Sequence, residues 1–79
     1  MKLKCFGIAR DIIAKGELSL DSGHDINSVG ELKNWIFQNF PEMRSLNGFM
    51  IAVDQEYAND EQEIKANSEI AIIPPVSGG

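Results

Sequence analysis

The chain has 79 residues, 43% of them apolar, with twelve Asp and Glu against seven Lys and Arg for a formal net charge of −5. That length allows one small domain, and apolar residues in clusters rather than one long run describe a globular chain, neither disordered nor membrane-spanning. The acidic balance repels phosphate backbones and anionic membranes, and no basic patch with interleaved aromatics offsets it, so protein partners with basic faces fit better.

The first residues, "MKLKCFGIARD", hold a short apolar run broken by Gly7 and Arg10 and make a poor signal peptide. Within them Met1, Leu3 and Cys5 alternate with Lys2 and Lys4, the period-two pattern of a half-buried first strand. Cys5 is the only cysteine, which excludes an intrachain disulfide and a CxxC pair and suits a reducing cytoplasm. Its expected role is that of a small core residue. The segment "IARDII" breaks the alternation and has room for a short helical bend. After Gly16, Leu18 and Leu20 alternate with Glu17 and Ser19, which predicts a strand returning along the first.

His24, the only histidine, sits in the polar turn-like stretch "DSGHD" and reads as an exposed loop residue. From Asn27 the pattern turns helical. Ser28 and Glu31 form a capping box, in which each side chain can satisfy the other's backbone amide, and Val29, Leu32, Ile36 and Phe40 follow at helical spacing. Pro41 cannot continue the ladder, so the helix ends near Asn39 or Phe40. Trp35 and Phe37 widen the apolar arc as core or helix-edge side chains.

Phe49 to Val53 is an apolar run of strand length, Gln62 to Ile64 an optional short strand, and "SEIAII" the last strand, stopped by Pro74 and Pro75. Between them, Asp54 to Glu63 carries five acids and reads as a solvated loop face. The order strand, strand, helix, strand, optional strand, strand predicts an α+β fold, one main helix packed across one face of a mixed sheet. Residues 1–73 make the domain and 74–79 an extended tail.

Inventory argues against a self-contained enzyme. There is no zinc-ligand set around His24, no Gly-rich loop followed by lysine, and no GxSxG elbow; nothing desolvates or aims the acids Asp60, Glu61 and Glu63. The ending "PPVSGG" has a different character. Pro74 and Pro75 favour a stiff extended exit from the sheet, from which the segment can project roughly 15–20 Å into another protein's pocket. Gly78 and Gly79 lack Cβ atoms, so their backbone can pass a narrow channel and approach a nucleotide closely. A terminal carboxylate of reference pKa about 3.3–3.7 is ionised at neutral pH and a poor electrophile until activated, for instance as an adenylate.

Three stretches carry a resemblance to a known family. "FGIARD" resembles a Phe-small-x-x-Arg-acid motif after the first strand, "IAVDQEYA" an Ala-Val-Asn-x-x-Tyr strand and turn, and "EIAIIPPVSGG" a Glu-led apolar strand running into Pro-Pro-Val-Ser/Thr-Gly-Gly. Over essentially its full length the chain is similar to the small, sulfur-carrier subunits of molybdopterin synthase, which are ubiquitin-like β-grasp proteins. Asp54 stands where that family has asparagine, and "ANSE" replaces its Asp-Gly-Asp-Glu turn.

The resemblance implies a β-grasp fold and a carrier in which Gly79 is adenylated by an ATP-dependent activating enzyme and converted to a thiocarboxylate by a sulfur donor. No cofactor is bound permanently. The tail then enters the large synthase subunit, which supplies the catalytic side chains, and gives its sulfur to a cyclic pyranopterin precursor. On this reading Gly79 reacts, Gly78 gives clearance, and Pro74, Pro75, Val76 and Ser77 set reach and register. An apolar patch including Phe6 and Ile73 docks the large subunit, with core membership the competing reading for both and the stronger one for Ile73. Arg10 is either in an internal ion pair or at the partner contact. A thiamin-pathway carrier, a ubiquitin-like protein modifier and an interaction domain with an inert tail are the competing functions.

Overall fold

Two hydrophobic periodicities meet in one core. In strands β1 (Lys2–Cys5) and β5 (Glu69–Ile73) every second residue points inward, so Leu3, Cys5, Ile70 and Ile72 are buried while Lys2, Lys4, Glu69, Ala71 and Ile73 face the other way. The two strands are parallel neighbours, Leu3 opposite Ile70 and Cys5 opposite Ile72. The computed structural model describes residues 1–14, 16–20, 26–46 and 48–74.

Strand β2 (Glu17–Ser19) pairs antiparallel with β1, β3 (Met50–Val53) antiparallel with β5, and β4 (Glu56–Ala58) antiparallel with β3, giving the order β2-β1-β5-β3-β4. Helix α2 (Val29–Asn39) lies across one face of this mixed sheet, its Val29, Leu32 and Ile36 buried against the strands' inward residues. The arrangement is the β-grasp expected from the resemblance. Cys5 is buried as expected, and burial raises its thiol pKa.

Helix α2 starts at Ser28 and ends at Phe40, as its caps predict. Only half of the capping box forms: Ser28 Oγ accepts from the Glu31 amide at 3.2 Å. The two amides before it bond backward into the acidic loop, Val29 to the Gln62 carbonyl at 3.0 Å and Gly30 to the Asp60 carbonyl at 2.9 Å. A Cβ at Gly30 would lie 3.2 Å from that Asp60 oxygen, so a residue without a side chain lets the loop come this close. Three of the first turn's orphan amides, those of Val29, Gly30 and Glu31, are thus partnered, and the regular ladder begins with Leu32 donating to the Ser28 carbonyl at 3.0 Å. Ser28→Ala is expected to cost about 1 kcal/mol, read as a lowered urea midpoint with unchanged slope.

Two expectations change and a third is sharpened. Glu56–Ala58 is strand β4 rather than loop, because Asp54 and Gln55 take φ of 50° and 73° and form a tight hairpin turn. Gln62–Ile64 is not a strand; Glu63 makes a single bridge to Ser28. The acidic segment is therefore a built edge that caps α2, with Asp60 also 2.7 Å from Lys33. The suspected bend is a seven-residue helix, α1 (Gly7–Ile13), burying Ala9 and Ile13. Trp35 and Phe37 are half-buried: Trp35 meets Phe40 edge-on at 6.1 Å, and Phe37 meets Phe49 at 5.6 Å beneath the Arg44 guanidinium.

Candidate functional site

With α2 on one face, none of the described helices lies over the opposite face of the sheet, and strand register decides what that face displays. Met50 pairs with Ile73, and the β1–β5 register carried one residue past Cys5 sets Phe6 beside Ile73. Phe6, Ile73 and Met50 therefore form one apolar row, Phe6 50% and Met50 51% exposed and Ile73 half-buried. Ile8, on the first turn of α1 two residues after Phe6, is also exposed. The next row runs Lys4, Ala71, Ala52, Tyr57, with Tyr57 67% exposed on the edge strand.

The far end of the face is charged. Lys4 Nζ lies 2.7 Å from Glu69 Oε1, and this hydrogen-bonded acid raises the lysine's pKa. Asp54 ties the hairpin to the start of β5: its amide donates to the Glu69 carbonyl at 2.8 Å and its Oδ1 accepts from the Glu69 amide at 3.0 Å. An asparagine presents the same oxygen and tolerates the same positive φ, so the departure at this position keeps the contact. In the "ANSE" turn, Ser68 Oγ accepts from the Lys65 amide at 3.0 Å and closes the loop locally.

The apolar row lies at the end of β5 from which the chain continues to Pro74, the last residue described there. Pro74 is half-buried against Gly7, where an added Cβ would come within 3.0 Å of the ring's Cγ. Gly7 has φ +56°, in the left-handed region that favours glycine. Pro75, Val76, Ser77, Gly78 and Gly79 lie outside the described residues, as does His24. Of the expected site residues, then, Phe6, Ile73 and Pro74 come together at one end of the open face. Met50, Ile8 and Tyr57 went unnoticed in the sequence; alternation within "MIAV" carries the signal for Met50, since Ile51 and Val53 point inward.

Arg10 lies over Gly16, with Nε 3.5 Å from where a Cβ would stand, and takes part in no ion pair among the described residues. No group of three or more His, Cys, Asp or Glu among those residues is placed to hold a metal ion. None of the described helices is long and apolar enough to cross a membrane.

The model of the ThiS family matches residues 3–79. The molybdopterin synthase sulfur carrier subunit of Caenorhabditis elegans is 38% identical over 82 aligned positions, covering 100% of this chain and 96% of the relative. Among solved structures, the small archaeal modifier protein 1 of Methanosarcina acetivorans superposes with a TM-score of 0.80 at 22% identity, over 99% of this chain and 94% of that one. A complex of subunits 1 and 2 of the molybdopterin-converting factor from Helicobacter pylori includes a chain that superposes with a TM-score of 0.66 at 22% identity, over 99% and 96%. At these identities the structural likenesses establish the fold.

Proposed function

The chain belongs to the ThiS family, among the relatives of molybdopterin synthase sulfur carrier subunits, and from that premise we propose that it is the carrier that brings activated sulfur to molybdopterin synthase. An activating enzyme adenylates the Gly79 carboxylate: one of its oxygens attacks the α-phosphorus of ATP and pyrophosphate leaves. The outer sulfur of a donor persulfide then attacks the acyl carbon and displaces AMP, leaving an acyl disulfide between Gly79 and the donor. A second thiol attacks the donor sulfur, forms a disulfide with it and releases Gly79 as a thiocarboxylate. ATP is consumed by the activating enzyme and is not resident on this chain. The tail enters the large subunit, whose side chains direct the sulfur onto the cyclic pyranopterin precursor.

One juxtaposition supports this reading above others. The exposed row of Phe6, Ile73 and Met50 sits where Pro74 leads off toward the end of the chain. A partner that covers the row also stands where the tail goes, so docking and delivery share one surface. Exposed apolar rows on small domains mark interfaces, and burying aromatic and Met side chains supplies much of the affinity of such contacts. In this arrangement Pro74, Pro75, Val76 and Ser77 set the tail's reach and Gly78 its clearance.

The fold and the Gly-Gly ending also suit a carrier for thiamin synthesis, and the two are separated by reconstitution. Charged with ATP, activating enzyme and sulfur donor, the protein is expected to convert the pyranopterin precursor in the presence of the large subunit and to leave the thiamin-pathway acceptor unchanged. The opposite pattern would reassign the client while keeping the carrier chemistry.

A further inference from the structure

The side of the sheet that carries α2 has an opening of its own, between the second half of that helix, the 3-10 helix Pro41–Ser45 and the start of β3. We propose that this groove is a docking site for a protein partner, and that it takes a segment in which a large apolar side chain stands beside an Asp or Glu. The groove measures about 320 Å³ and is lined by Phe37, Met43, Leu46 and Phe49, with Lys33 and Arg44 among them. Met43 and Phe49 belong to the buried core, whereas Phe37 and Leu46 are half-buried, so the floor is continuous with the core while part of the wall still meets water. At Gly48, also on the lining and at φ +83°, a Cβ would meet nothing within 4 Å, and this part of the rim stands clear for an incoming chain.

Charge selects the occupant. The chain has twelve Asp and Glu against seven Lys and Arg, yet both charged residues that line the groove are cations. Lys33 is already met by Asp60 at 2.7 Å, whereas the Arg44 guanidinium makes no ion pair or hydrogen bond among the described residues. It is held in place all the same. The guanidinium lies 4.7 Å from the centre of the Phe37 ring, and Phe37 meets Phe49 edge-on at 5.6 Å, so one stack runs from the core out to the charge. Stacking uses one face of the guanidinium and leaves its in-plane N–H donors unspent, the fork that fits a carboxylate with two parallel bonds. An exposed arginine with no apolar floor beside it would only be solvated charge, and the floor without the charge would suit any oily segment. Together they select an apolar side chain with an acid next to it. The volume, at the lower end of the roughly 300–1,000 Å³ of ligand sites, suits a short segment. The row of Phe6, Ile73 and Met50 lies on the other side of the sheet, so a partner held in the groove leaves that row uncovered.

The test selects binders to the full chain from a display library of short random peptides and titrates a selected peptide into isotope-labelled protein, followed by nuclear magnetic resonance. Selected peptides are expected to carry Asp or Glu beside Leu, Ile or Phe, and to shift the Arg44 Nε–H and the amides of Leu46, Gly48 and Phe49. Changing the peptide's acid to its amide is expected to weaken binding about tenfold in the unaltered protein and less than about twofold in Arg44→Gln. Phe6→Glu is expected to leave both affinities unchanged. Arg44 is exposed and outside the core cluster, so its replacement spares the core, and the acid-to-amide comparison in the unaltered protein needs no variant at all. Equal binding of the acid and amide peptides would overturn the proposal, as would a loss just as large in Arg44→Gln. A selection that yields no binder, or one whose shifts fall on Phe6, Met50 and Ile73, would overturn it too. Self-association of the chain that Arg44→Gln abolishes would give the groove to a second copy and overturn the separate partner. The groove does not rest on the carrier reading, and the sulfur chemistry at Gly79 is read separately by mass, so either can fail while the other stands.

Discussion

Adding a single alanine after Gly79 is expected to abolish sulfur transfer, a loss of at least about 10⁴-fold, the scale on which removal of a reacting group acts. A carboxylate of reference pKa about 3.3–3.7 is ionised and unreactive at neutral pH, so the proposed transfer depends on presenting it to a nucleotide. One more residue carries that group roughly 3.5 Å further along the chain and places a Cβ where glycine left none. The fold is expected to be untouched, because β5 ends at Ile73 and every core residue among those described precedes the tail. An unchanged melting temperature beside absent transfer is therefore expected, measured by calorimetry and by conversion of the precursor.

Phe6→Glu is expected to weaken binding to the large subunit about 100-fold or more while costing the fold less than about 1 kcal/mol. Phe6 is 50% exposed and outside the core cluster, so a carboxylate there stays in water in the free protein. Docking would strip that water and leave the charge facing an apolar partner surface without a counter-ion. By contrast, an acid at Ile72, fully buried between β1 and β3, would unfold the domain. Titration calorimetry reads the first effect; an affinity equal to that of the unaltered protein would remove the open face from the docking account.

Much of the fold was legible because its signals are local. Alternation in Lys2–Cys5 and Glu69–Ile73 and the 3.6-residue spacing of Val29, Leu32 and Ile36 each needed only neighbours in sequence. What escaped depended on partners distant in sequence. Strand β4 exists because Asp54 and Gln55 both accept positive φ, which two non-glycine residues give little warning of. The acidic loop's carbonyls cap α2 across about thirty residues, and no composition rule announces that Gly30 is bare to admit Asp60. The candidate site divides the same way. The ending "PPVSGG" carries the proposed chemistry in consecutive residues, whereas the row joining Phe6, Ile73 and Met50 is assembled by register from three separate segments.

The most direct test of the carrier account is the intact mass of the protein before and after incubation with ATP, the activating enzyme and the sulfur donor, followed by fragmentation of the C-terminal peptide. The account predicts a mass gain equal to sulfur replacing oxygen, located on Gly79 and dependent on ATP. A terminus that stays unmodified under those conditions would contradict it and leave the tail without a chemical role.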